Sequence, residues 1–106
     1  MRALRMLAAL AVAAVVSGDL RAAPQVHTVT IDGFEFHPSV VTVKPGDVVE
    51  WRNTDPVPHT ATAPDAGFDS GEIAAGATFR FTAGKTGKFD YQCTFHPTMK
   101  ATLVVR

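Results

Sequence analysis

A second cysteine is missing from this chain, so Cys93 cannot close an internal disulfide. An unpaired cysteine then has other uses, as a reactive thiol, an intermolecular link or a metal ligand. Excess charge of one sign is missing too, with ten Lys and Arg against ten Asp and Glu in 106 residues. No run of basic residues stands out, which removes the electrostatic footprint of a nucleic-acid or membrane-surface protein. No apolar run approaches the roughly 20 residues needed to cross a bilayer. Helical periodicity is absent after residue 23, as are internal repeats and low-complexity segments.

The N-terminus reads as an export signal. Arg2 and Arg5 form a short basic region, Met6 to Val16 an apolar Ala-rich stretch, and Ser17 to Ala23 supplies small residues for cleavage. Cleavage after Gly18 and after Ala22 are both compatible with the pattern, so residues 1–23 are expected to be the signal and 24–106 the mature domain. No cysteine follows for a lipid anchor, and Arg2 and Arg5 are not adjacent as a twin-arginine signal requires. Loss of Arg2, Arg5, Arg21 and Asp19 leaves seven basic and nine acidic residues. The expected location is the periplasm.

The remainder is a series of short β-rich runs broken by Gly, Pro and Asp. Strands are expected at 26–31, 40–43, 48–51, 60–63, 77–82, 88–91 and 101–105. Lys44-Pro45-Gly46-Asp47 is a tight turn between two of them. Seven or eight strands at this spacing predict an all-β antiparallel sandwich or barrel. Trp51, Phe79, Phe81, Phe89 and Tyr91 are assigned to its core.

Cys93-Thr94-Phe95-His96-Pro97-Thr98-Met99 places a thiolate, an imidazole and a thioether within seven residues. Two His and one Cys in a plane, with a weak axial Met, are the donors of blue copper sites. His59 is the candidate for the remaining position. It follows Pro56-Val57-Pro58, which stops any strand, and so stands at a strand entrance. A ligand from a distant strand would tie the 93–99 loop to the sandwich and keep the site similar in both oxidation states. His27 and His37 lie in no such motif and are read as surface or structural.

Phe34-Glu35-Phe36-His37-Pro38, Val41 to Asp47, Val49-Glu50-Trp51-Arg52-Asn53, Pro58-His59-Thr60, Phe68-Asp69-Ser70-Gly71 and Tyr91 to Lys100 resemble small bacterial cupredoxins of the plastocyanin/amicyanin type. The resemblance covers about residues 26–105, and the two-residue gap between His96 and Met99 is similar to amicyanin. It implies a Greek-key sandwich holding one copper ion. His59, Cys93 and His96 would be the equatorial ligands and Met99 the axial one. It further implies a monomeric periplasmic one-electron carrier, not an enzyme. Partners such as c-type cytochromes or a periplasmic dehydrogenase would dock near His96, on an apolar patch of Phe95, Pro97, Pro58 and Ala61. One departure is Thr60, where many members have an Asn that ties the two ligand loops together.

Other readings of the same residues remain. Zinc takes Cys and His but gives Met99 no role. A Cys93 nucleophile with a His96 base lacks an orienting third group. A copper carrier or buffer without electron transfer uses the same donors, although Met1 and Met6 lie in the signal and leave only Met99.

Overall fold

The computed structural model describes residues 23–106, so all but the last residue of the expected signal lies outside the described region. Nine strands follow one another: β1 (Val26–Asp32), β2 (Glu35–His37), β3 (Val40–Val43), β4 (Val48–Asn53), β5 (Thr62–Ala63), β6 (Phe68–Asp69), β7 (Thr78–Thr82), β8 (Gly87–Gln92) and β9 (Lys100–Val105). One sheet has the order β2-β1-β4-β7 and the other β3-β9-β8-β5-β6. Among the described residues no helix is long and apolar enough to cross a membrane.

The expected sandwich is present, with two refinements. Two strands beyond those expected, β2 and β6, are present and are only three and two residues long. The sheets are mixed, because β1 runs parallel to β4 and β3 parallel to β9. The Lys44-Pro45-Gly46-Asp47 turn explains part of this. It links β3 in one sheet to β4 in the other, so its strands are not hairpin partners. Gly46 takes φ 92° there, and Asp47 N–H donates to the Lys44 carbonyl at 3.0 Å.

Period-two burial builds the core. Val29 and Ile31 of β1, Phe89 and Tyr91 of β8, and Ala101, Leu103 and Val105 of β9 point inward while their neighbours face out. Trp51 is fully buried at the centre, with Phe68 at 5.1 Å, Tyr91 at 5.6 Å and Phe79 at 5.8 Å between ring centroids. Such aromatic pairs each add about 0.5–1.5 kcal/mol beyond the area they bury. The sequence assignment of these rings to the core stands, with Phe79 and Phe81 only partly buried at its edge.

His27 has a structural part, as expected. Its Nε2 lies 2.9 Å from Asp47 Oδ2, and Asp47 also accepts from the backbone of Gln25 and Lys44 at 3.0 Å each. Asp47 thereby pins the start of β1 to the β3–β4 turn. His37 is half exposed, with Nε2 3.1 Å from the Asp32 carbonyl.

Candidate metal centre

The site forms where β4 ends. Asn53 is buried there and uses its whole amide. Nδ2 donates to the carbonyls of Val57 and Ile73 at 2.9 Å each, and Oδ1 accepts from Asp55 N–H at 3.0 Å. These bonds hold the Pro-rich 54–58 loop in place and deliver His59 into an isolated antiparallel bridge with Ile73. His59 is thus at a strand entrance as expected, with β5 starting only at Thr62.

His59 is completely buried. Its Nε2 meets Asp55 Oδ2 at 2.8 Å, so with the ring neutral Nε2 carries the proton and Nδ1 keeps a free lone pair. That lone pair faces sulfur: Nδ1 lies 3.7 Å from Cys93 Sγ. The Asp55 carboxyl is held below its ordinary value. Burial pushes it up, but the N–H groups of Phe34 and Gly33 and the His59 ring outweigh that.

Cys93 is fully buried and has no disulfide partner. Thr60 N–H donates to its Sγ at 3.3 Å. The Thr60 hydroxyl accepts from Thr94 N–H at 2.8 Å, so one residue holds both the sulfur and the loop beyond it. This is the bridging work expected of an Asn at that position, performed here by a threonine. The 93–99 loop closes on itself through Cys93 N–H to the Met99 carbonyl at 3.1 Å and Met99 N–H to the His96 carbonyl at 2.8 Å.

Three of the four residues picked from sequence are neighbours, and the fourth, Met99, lies in the same loop as two of them. His59 and Cys93 are in direct contact, His96 lies 5.2 Å from His59 between ring centroids, and Met99 is buried at the base of the same loop. Among the described residues, no three or more His, Cys, Asp and Glu side chains are grouped at metal-holding spacing. His96 is thus not drawn up to His59 and Cys93 at that spacing, although its ring neighbours that of His59. A buried thiol without a disulfide, a fixed imidazole lone pair beside it and a buried thioether suit copper, which accepts soft sulfur donors.

Two residues that sequence reasoning passed over belong to the site. One is Asp55, four positions before His59. The other is Phe34, in the two-residue Gly33-Phe34 loop joining β1 to β2. Gly33 and Phe34 both have positive φ, 61° and 59°. For a bulky residue this conformation costs about 1–2 kcal/mol. Asp55 accepts both loop N–H groups, at 2.7 Å from Gly33 and 2.9 Å from Phe34. The Phe34 ring meets His59 edge-on at 5.1 Å and His96 at 4.9 Å. A shallow depression of about 430 Å³ beside His96 is lined by Phe34, Val57, Pro58 and Phe95. The apolar patch expected around His96 is thus present, with a changed membership. Ala61 is fully buried and Pro97 does not line it, whereas Phe34 and Val57 do.

A mixed two-sheet sandwich with a buried cysteine beside one histidine, a second histidine next to that one and a buried methionine closing the loop defines a small single-site copper-type fold. The chain belongs to the cupredoxin family: the Cupredoxin-like domain matches residues 4–105. Amicyanin-alpha of Methylorubrum extorquens is 34% identical over 118 residues, covering 99% of each chain. Among solved structures, a point variant of amicyanin in its reduced state superposes with TM-score 0.69 at 29% identity, covering 74% of this chain and 80% of that one. A Cu(I) amicyanin variant gives TM-score 0.71 at 26% identity, covering 76% and 82%. The chain is thus an amicyanin-type cupredoxin.

Proposed function

We propose that this protein is a periplasmic one-electron carrier with a mononuclear type 1 copper site, exported by residues 1–23 and folded over 24–106. His59, Cys93 and His96 are its equatorial ligands and Met99 its axial ligand. The observation that carries this reading is the buried Cys93 Sγ, 3.7 Å from His59 Nδ1 and receiving the Thr60 N–H at 3.3 Å. A copper ion bound there supplies reversible one-electron exchange between Cu(I) and Cu(II).

The protein residues fix and insulate that exchange. Asp55 holds the His59 tautomer, and Thr60 ties the Cys93 loop to the His59 strand. The Val57, Pro58 and Phe95 surface beside His96 gives a weakly polar docking face. Such a face suits brief encounters with redox proteins, c-type cytochromes or a periplasmic dehydrogenase, where small interfaces permit fast release. The monomer carries electrons and does not transform a substrate. Burial of His59, Cys93 and Met99 also opposes rapid copper loss, which a copper-delivery protein would need.

Loading the protein with Cu(II) and recording visible and EPR spectra tests the assignment. The expected result is an intense blue band and narrow copper hyperfine splitting, both lost in Cys93→Ser. A colourless Cu(II) protein, or a spectrum unchanged by the substitution, rules the site out. Rapid reversible exchange with a c-type cytochrome supports the carrier. Copper handed quickly to a competing protein supports the delivery alternative.

A further inference from the structure

Phe34 is costly where it stands. It occupies a left-handed position at φ 59° that Gly or Asn fills with little strain, and its ring is about half exposed to solvent. Neither the hairpin nor the core needs an aromatic there. A backbone outlier of this kind points from strain towards function. What the ring touches says which function. It contacts the imidazoles of both His59 and His96, at 5.1 and 4.9 Å and interplanar angles of 88° and 78°. Those two rings lie 5.2 Å apart, so the three form a triangle of edge-to-face contacts.

We propose that Phe34 is a positioning residue for the metal centre: its ring braces His59 and His96 together from the β1–β2 loop. This rests on the copper reading above. The loop is itself locked by the carboxylate that orients His59, since Asp55 accepts from Gly33 N–H at 2.7 Å, Phe34 N–H at 2.9 Å and pairs with His59 Nε2 at 2.8 Å. Asp55 therefore sets His59 directly through a hydrogen bond. It sets His96 indirectly, by fixing the backbone that carries the Phe34 ring. His96 needs this second support. Among the described residues its ring makes no side-chain hydrogen bond, and its loop is held only by the backbone bonds at Cys93 and Met99 and by Thr60.

Phe34→Gly separates bracing from strain. Glycine is at ease in the left-handed turn, so the variant is expected to unfold at the same or higher denaturant concentration than the parent. In the copper-free full chain, the His96 and His59 ring-proton resonances are expected to move as the neighbouring ring is removed. After loading, affinity for Cu(I), measured by competition with a chelator, is expected to fall about tenfold, the lower end for residues that orient metal ligands. Phe34→Tyr, which keeps the ring, restores both readouts. Phe34→Asn, also tolerant of the turn, is the second ring-free variant if the glycine chain folds poorly. Unchanged resonances and affinity in these ring-free variants overturn the proposal, as does a changed affinity with unmoved imidazole resonances. If parent copper lacks the blue signature, the electron-carrier reading fails on its own. The His59–His96 inter-ring NOE in the copper-free chain, weakened in Phe34→Gly if the ring braces them and unchanged if it does not, still decides the bracing proposal.

Discussion

Asp55→Ala is the substitution that reaches furthest through this molecule. The carboxylate is buried and accepts Gly33 N–H on Oδ1, with Phe34 N–H and His59 Nε2 on Oδ2. Alanine leaves all of these donors without a partner. A buried donor left unsatisfied costs about 1–3 kcal/mol. The two loop N–H groups regain some solvent because Gly33 and Phe34 are exposed, but the His59 ring is completely buried and does not. Together the loss is about 3 kcal/mol of stability, from the unsatisfied His59 ring and the partly resolvated loop donors. Urea unfolding should show it as a lower midpoint at unchanged slope. The metal readout is separate. Without its partner the His59 proton no longer has a fixed seat, and copper affinity should fall roughly 10–100-fold.

Asp55→Asn sharpens the test. Turned with its oxygen towards His59 and Phe34, the amide loses only the Gly33 contact. It should recover most of the copper affinity and part of the stability. The pH dependence follows from the same bonds. The folded-state carboxyl lies below its unfolded value of about 3.9, so its contribution is complete above that pH. It is lost as pH falls through the lower folded-state value. An Asp55→Ala protein with the parent's urea midpoint and copper affinity would refute the reasoning.

Other outcomes follow from single contacts. Asp47, drawn down to about 2 by the backbone N–H groups of Gln25 and Lys44 and by His27, contributes stability that is present above its unfolded value and disappears as pH falls towards 2. Asp47→Asn should therefore flatten acid unfolding over that window and reduce amide protection at the start of β1, read by hydrogen exchange. Leu103→Ala empties a fully buried position and should cost about 2–5 kcal/mol in urea unfolding without altering the copper spectrum. Thr60→Val removes the acceptor for Thr94 N–H while keeping the Thr60 N–H to sulfur. It should cost about 1 kcal/mol, and loosen the 93–99 loop as seen by amide exchange.

Most of the scaffold was legible because a sandwich writes itself into sequence as alternation. Ala101 to Val105, Lys88 to Tyr91 and Val26 to Ile31 all kept their inward faces. The short strands β2 and β6 were not legible, since two or three residues cannot display a period. Nor was the parallel pairing of β1 with β4, because register between separated strands leaves no local mark. Cys93, His96 and Met99 stood out as candidates because cysteine, histidine and methionine are rare and here close in chain, and His59 because it follows a Pro-rich strand break. Asp55 was not, since an aspartate in a Pro-rich loop has many ordinary uses. Its spacing of four before His59 was the available signal. Phe34 was hidden behind Asp32-Gly33, whose hairpin chemistry should have drawn attention to the aromatic residue after it.

These placements divide the site into unequal halves. His59 belongs to the sandwich: Asn53 fixes its loop, Ile73 its backbone and Asp55 its ring. His96 belongs to a short loop whose ties are fewer. Copper(I) and copper(II) favour different geometries, so a stiff half and a tethered half answer different needs. The stiff half keeps the thiolate and one imidazole in place whatever the oxidation state. In the reading proposed above, the tethered half carries the ligand beside the docking face, and must be held without being buried. Thr60 and Phe34 supply that hold, one by hydrogen bonds to Cys93 Sγ and Thr94, the other by an aromatic edge on His96. If this division is right, Thr60→Val and Phe34→Gly act on the same loop through different contacts. Their combined effect on copper affinity should then exceed the sum of the single effects. Two independent supports would simply add.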